Sequence, residues 1–140
     1  MEIDKKAIAT LKGVFQGELM LPSDSGYDEA RSIWNRMIDR HPALIAQCSS
    51  SADIAAAVNF ARENDLILSV RGSGHNVAGN AVCDDGLMID LSGMKGVELD
   101  LEARMVSAAS GVVFGELDKI TQPHGFAVPG GLFQRQGFPD

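Results

Sequence analysis

The chain has 140 residues, 45% of them hydrophobic and 22% charged, which supplies apolar material for one packed domain, or a piece of a larger one, and argues against disorder. Its 12 Lys and Arg stand against 19 Asp and Glu, giving a net charge of -7, and no basic run is longer than Lys5-Lys6. Nucleic acid or an anionic membrane would require a clustered basic patch, so neither is expected as a partner.

Cys48 and Cys83 are far apart and form no C-x-x-C pattern, and His41, His75 and His124 are equally scattered. A disulfide framework and a metal site are therefore not expected. The first residues, Met1 to Lys6, lack the basic and apolar regions of a secretory signal, and no apolar stretch is long enough to cross a bilayer. The expectation is a soluble cytoplasmic protein.

In chain order, Ile8, Leu11, Val14 and Phe15 recur at helical spacing until Pro22 to Gly26 break the pattern. Residues 27–38 read as helical or turn-rich, so the first third of the chain is expected to be mostly helix. Ala43 to Ala46 is a short apolar run suited to a buried strand. Ser50-x-x-Asp53 is a capping box, in which hydroxyl and carboxylate satisfy the free amides at a helix start. Ile54, Ala57, Val58 and Ala61 follow on one helical face, and Leu66 to Val70 reads as strand. Residues 43–70 thus predict a strand-helix-strand unit.

Further on, residues 87–91 form a strand candidate, and residues 96–100 and 105–109 predict a hairpin. Acidic residues between 98 and 102 read as a solvated turn. Phe114, Leu117 and Ile120 mark a short amphipathic helix, which His124 caps near its end. The fold class predicted is α+β, with helices packed on a sheet.

The second strand of the strand-helix-strand unit runs straight into Arg71-Gly72-Ser73-Gly74-His75-Asn76. Glycines let a backbone approach a ligand closely, and successive amides in such a loop can form an anion nest. Arg71 adds a charge suited to a bidentate phosphate grip, and a diphosphate is the natural guest. The Rossmann fingerprint fits badly, since Val77 stands where its third glycine belongs. Gly74 to Gly79 has the P-loop spacing, but Asn80-Ala81 replaces Lys-Ser/Thr. By composition alone, a glycine-rich loop after a strand is more often a plain turn than a ligand site.

The stretch from Arg71 to Gly79, followed by Asp85-Gly-Leu-Met-Ile-Asp-Leu-Ser92, closely resembles FAD-linked oxidases of the berberine-bridge-enzyme-like group, within the p-cresol methylhydroxylase and vanillyl-alcohol oxidase superfamily. The resemblance extends to Tyr27-Asp-x-Ala30, Trp34-Asn35, Pro42-Ala-Leu-Ile45, Met94-Lys-Gly96, Ala109-Ser-Gly-Val112, Gly115-Glu-Leu-Asp118 and Val128-Pro-Gly-Gly131. It implies the N-terminal portion of a p-cresol methylhydroxylase-type FAD-binding domain, incomplete in this chain. It further implies FAD held by Arg71, Gly72, Ser73, Gly74, His75, Asn76, Gly79, Pro129 and Gly130. The histidine matching His75 commonly bonds the flavin 8α-methyl carbon in that family, and an imidazole nitrogen is a competent nucleophile near neutral pH.

The implied activity is flavin-dependent oxidation, with hydride passing from an alcohol or amine carbon to FAD and then to oxygen. A small molecule is the expected substrate, a homo-oligomer is compatible, and no catalytic residue is assigned. Cys48 and Cys83 are expected to be small buried residues, because the flavin-linking cysteine of bicovalent relatives follows the Pro-Gly-Gly region. Trp34 and Tyr27 are expected to pack rather than to stack on flavin.

After Gly131 the family continues with a Ser/Thr-Gly-Val-x-Gly segment, whereas this chain reads Leu132 to Asp140. A shifted reading frame is compatible with that tail, and a truncated homologue is the expectation. The division expected is a helical segment at 1–36, a partial FAD-binding domain at 37–131 and a divergent tail at 132–140. Two alternatives remain open: a non-catalytic remnant, and a module for another diphosphate ligand.

Overall fold

The structure, a computed structural model, describes residues 3–130. Helix α1 (Lys5–Val14) is capped by Asp4, whose carboxylate accepts from the Lys6 amide at 2.9 Å. Leu11 faces the core, while Val14 is turned to solvent. The first third then departs from the helical expectation. Strand β1 (Glu18–Met20) pairs antiparallel with β2 (Leu44–Gln47), setting Glu18 opposite Gln47. Three residues are too few to carry a period-2 signal. Helix α2 (Tyr27–Ala30) is one short turn, and buried Tyr27 donates its hydroxyl to the Pro42 carbonyl at 2.6 Å.

Helix α3 (Ser51–Glu63) leads to strand β3 (Leu68–Arg71), and β4 (Leu87–Asp90) follows. The strand-helix-strand unit forms, but its two strands are not neighbours. The sheet order is β1-β2-β4-β3, with β4 parallel to both β2 and β3. Burial explains the arrangement. All four residues of β4 are buried, as a central parallel strand requires. In β3, Ser69 is buried while Leu68 and Val70 are exposed, which suits an edge.

Alternation along β2 and β4 divides the core by face. Leu44, Ala46, Leu87 and Ile89 pack with Leu11, Ala57, Phe60 and Ala61 of α1 and α3. Ile45 and Met88 pack on the other side with Met20, Tyr27, Ile33, Ala81 and Val82. Phe60 joins the inner face of α3, whereas Val58 is exposed, a correction to the expected face.

The capping box is half formed. The Ser50 hydroxyl accepts from the Asp53 amide at 3.2 Å. The Asp53 carboxylate does not return to the Ser50 amide. It accepts from the Ser49 amide and hydroxyl at 2.9 and 2.8 Å, and from the Gln16 amide at 2.7 Å, tying the start of α3 to the turn after α1. Burial alone would raise this carboxyl. The bonds from Gln16, Ser49 and Ser50 outweigh it and bring Asp53 down to about 2.

Strands β5 (Val97–Asp100) and β6 (Met105–Ala108) form the expected antiparallel hairpin, and Glu98 and Asp100 are exposed on β5 rather than within the turn. Helix α4 (Phe114–Thr121) buries Phe114, Leu117 and Thr121. Ile120, expected on that face, is exposed. Val97, Val106, Val112, Phe114 and Leu117 make a second core under the hairpin. A 3-10 turn (Gln122–His124) ends at Gly125, which takes the left-handed conformation.

Candidate functional site

The loop 71–79 leaves the C-terminal end of β3, the end at which parallel sheets bind ligands. Arg71 is the last residue of β3. Its Nη1 donates to the Ala30 carbonyl, and its Nε lies 4.0 Å from the buried Asp90 carboxylate at the end of β4. The Arg71 Nε is buried and has no hydrogen-bond partner among the described residues. The guanidinium is thus a strut under the loop as well as a fixed cation at its start.

Gly74 and Gly79 have φ of +75° and +78°, in the left-handed region that favours glycine. A Cβ on Gly74 would lie 3.3 Å from Arg71 Nε, and one on Gly79 would lie 2.8 Å from Ile38 Cγ1. Between them the His75 ring lies beside Ser73, with Nδ1 3.1 Å from Ser73 Oγ. Asn76 closes the turn: its carbonyl accepts from the Gly79 amide and its side-chain oxygen from the Asn80 amide, both at 3.2 Å.

Residues 30–40 form a backing for this loop that the sequence reading did not assign. Trp34 donates its amide to the Gly74 carbonyl at 2.9 Å, and Asn35 Nδ2 donates to the Val77 carbonyl at 3.0 Å. Arg40 Nη1 donates to the carbonyls of Gly79 and Val82, at 3.2 and 2.9 Å. Arg31 holds the backing together through Asp28 at 2.7 Å and through Asp39. Tyr27 packs as expected. Trp34 does not: it is 60% exposed, and its ring stands 6.4 Å from the His75 ring with 27° between planes. The available signal was the Trp34-Asn35 pair, which belongs to the stretch of resemblance.

These bonds leave the loop with an uneven set of free polar groups. The carbonyls of Gly74, Asn76, Val77 and Gly79 are all engaged as acceptors. The amides of Ser73, Gly74, His75 and Asn76 have no acceptor among the described residues. Spare donors beside a cation suit an anion, and the glycines leave room for it to come close. The residues present therefore fit a diphosphate.

The other expected contacts lie elsewhere. Pro129 and Gly130 are exposed, and Gly130 passes so near the Phe114 ring that a Cβ there would overlap it. Gly131 and the tail 132–140 lie outside the described residues. Cys48 and Cys83 are free and buried, as expected. Burial, with Asp53 and Asp90 nearby, pushes the Cys48 thiol up to about 12. Among the described residues no group of His, Cys, Asp and Glu could hold a metal ion.

Residues 42–137 match the model of a family described as FAD binding domain. The chain belongs to this family. It is 37% identical over 123 residues to (R)-6-hydroxynicotine oxidase of Paenarthrobacter nicotinovorans, covering 88% of this chain and 27% of that protein. It is 34% identical over 116 residues to the FAD-linked oxidoreductase YvdP of Bacillus subtilis, covering 82% and 26%. The crystal structure of 6-hydroxy-D-nicotine oxidase from Arthrobacter nicotinovorans superposes with a TM-score of 0.84 at 37% identity, over 89% of this chain and 27% of that one. A berberine-bridge-enzyme-like protein of Physcomitrella patens shares the fold, with a TM-score of 0.86 at 21% identity, over 94% and 29%. The chain spans about a quarter of the length of the curated relatives it matches. The α+β class expected from sequence and FAD as the family's cofactor both stand.

Proposed function

We propose that loop 71–79 holds the diphosphate of FAD, that His75 carries a covalent bond to the flavin 8α-methyl carbon, and that the chain serves the oxidation of a small molecule. The observation that carries this reading is the loop's imbalance: four amides with no acceptor among the described residues, four engaged carbonyls, and the Arg71 guanidinium at its start. Arg71 would supply charge from beneath the loop. Gly72, Gly74 and Gly79 would admit the phosphates, with Ser73 and Asn76 setting the turn. Ser73 would hold the His75 ring by its Nδ1 side. When bound, FAD supplies acceptance of a hydride from an alcohol or amine carbon and its delivery to oxygen.

Within this reading Pro129 and Gly130 would reach the cofactor from the second core. The substrate would be bound by sequence equivalent to the remaining three quarters of the relatives. Among the described residues no helix is long and apolar enough to cross a membrane, and we place the protein in the cytoplasm. The exposed side chains of Ile67, Leu68 and Val70 at the β3 edge would serve a second copy or further chain.

Adding FAD and separating the protein by gel filtration tests the reading. Flavin absorbance should travel with the chain, and ADP should compete because it shares the diphosphate. Tight ADP binding without flavin retention would favour a module for another diphosphate ligand. Colourless protein that also ignores ADP would favour a remnant.

A further inference from the structure

Trp34 is the chain's one tryptophan, and both cores that flank the four-stranded sheet leave it out. The residue is 60% exposed. Its ring partner is His75, at 6.4 Å and 27°. The separation falls in the range of favourable aromatic pairing. Hydrogen bonds place both members: the Trp34 amide donates to the Gly74 carbonyl and Asn35 Nδ2 donates to the Val77 carbonyl, so the bonds straddle His75. Ser73 Oγ meets the His75 Nδ1 at 3.1 Å. The imidazole is thus held by a hydroxyl at one nitrogen and by an aromatic neighbour, on a turn tied at both ends.

We infer that Trp34 is a positioning residue for His75, its indole holding the imidazole in the orientation from which it bonds to FAD. This rests on the reading of His75 given above. In that reaction the imidazole nitrogen gives up its proton and bonds to the flavin methyl carbon, which loses one C–H hydrogen. The two electrons released enter the flavin ring, and dioxygen takes them with the two protons to give hydrogen peroxide. The rate depends on how often the nitrogen is aimed at the carbon, so a loosened ring slows bonding without removing the grip on the diphosphate.

The test follows covalent flavin by intact mass of the denatured chain over time after FAD is added, beside the initial non-covalent affinity for FAD. Because the bond to Gly74 comes from the main chain of Trp34, side-chain substitution leaves it in place. Trp34→Ala should slow adduct formation by about tenfold to a hundredfold. FAD affinity should stay near that of the parent, and Trp34→Phe should recover most of the rate. Adduct formation at the parent rate in Trp34→Ala would overturn the inference. So would a parallel loss of affinity and adduct, or a Phe variant as slow as Ala, since either would make the indole a general support of the loop. A parent chain that binds FAD but forms no adduct would sink the attachment at His75, and the inference with it.

Discussion

Arg71 at the end of β3 donates to the carbonyl of Ala30, 41 residues earlier in the chain. This bond joins the loop to the end of α2, while the same guanidinium lies 4.0 Å from buried Asp90. One side chain thereby couples loop shape, the charge beneath it and the centre of the sheet. Arg71→Ala should remove all three and cost about 1.5–3 kcal/mol in stability, the range for a hydrogen bond to a charged group. FAD affinity should fall with it. Arg71→Lys should recover little, because an ammonium cannot reproduce the planar fork. Chemical denaturation and flavin titration of both variants check this, and unchanged values would refute the strut.

Gly74 tests the backbone itself. At φ +75° an added Cβ costs about 1–2 kcal/mol. It would also stand 3.3 Å from Arg71 Nε. Gly74→Ala should lower the melting temperature and weaken FAD, and Gly74→Val should do more of both. Full flavin content in the valine variant would show that the loop is not the cradle.

Asp53 predicts an acid limb. Its folded carboxyl titrates at about 2, below the ordinary carboxylate range, because Gln16, Ser49 and Ser50 bond to the charged form. The native state therefore binds fewer protons than the unfolded state across that interval. Its contribution is complete above the ordinary carboxylate range and is lost as pH falls through about 2. Asp53→Asn should cost about 1–3 kcal/mol near neutrality and flatten this part of the acid limb. Denaturation midpoints at several pH values measure it.

The cysteines should be inert while the chain is folded. Cys48 is buried and its thiol is pushed up to about 12, and Cys83 lies buried beside the Ser69 hydroxyl at 3.3 Å. Alkylation at mildly alkaline pH should leave both unmodified until denaturant is added. Rapid labelling of either in the native chain would contradict the packing.

Patterns that repeat over enough residues were legible in the sequence. Residues 51–63 and 114–121 showed helical spacing, the strand at 87–90 showed an apolar run, and the hairpin showed two strand candidates across a turn. The loop was legible through its glycines. Strand β1 was not, because Glu18 to Met20 is too short to show a period and forms only against β2. The placement of β4 between β2 and β3 was hidden as well, since pairing between distant segments leaves no local mark. Trp34 was misjudged for a related reason: its contact with His75 spans the fold, and an aromatic residue alone more often signals a core.

The central claim, that loop 71–79 holds FAD and His75 bonds to it, is tested most directly by one comparison of intact masses. The chain and its His75→Ala variant are each incubated with FAD in air, denatured to strip unbound flavin, and weighed. The account predicts one FAD added to the parent chain and none to the variant, with the variant still retaining flavin before denaturation. A parent chain that takes up no FAD, or a flavin adduct that persists in His75→Ala, would contradict it.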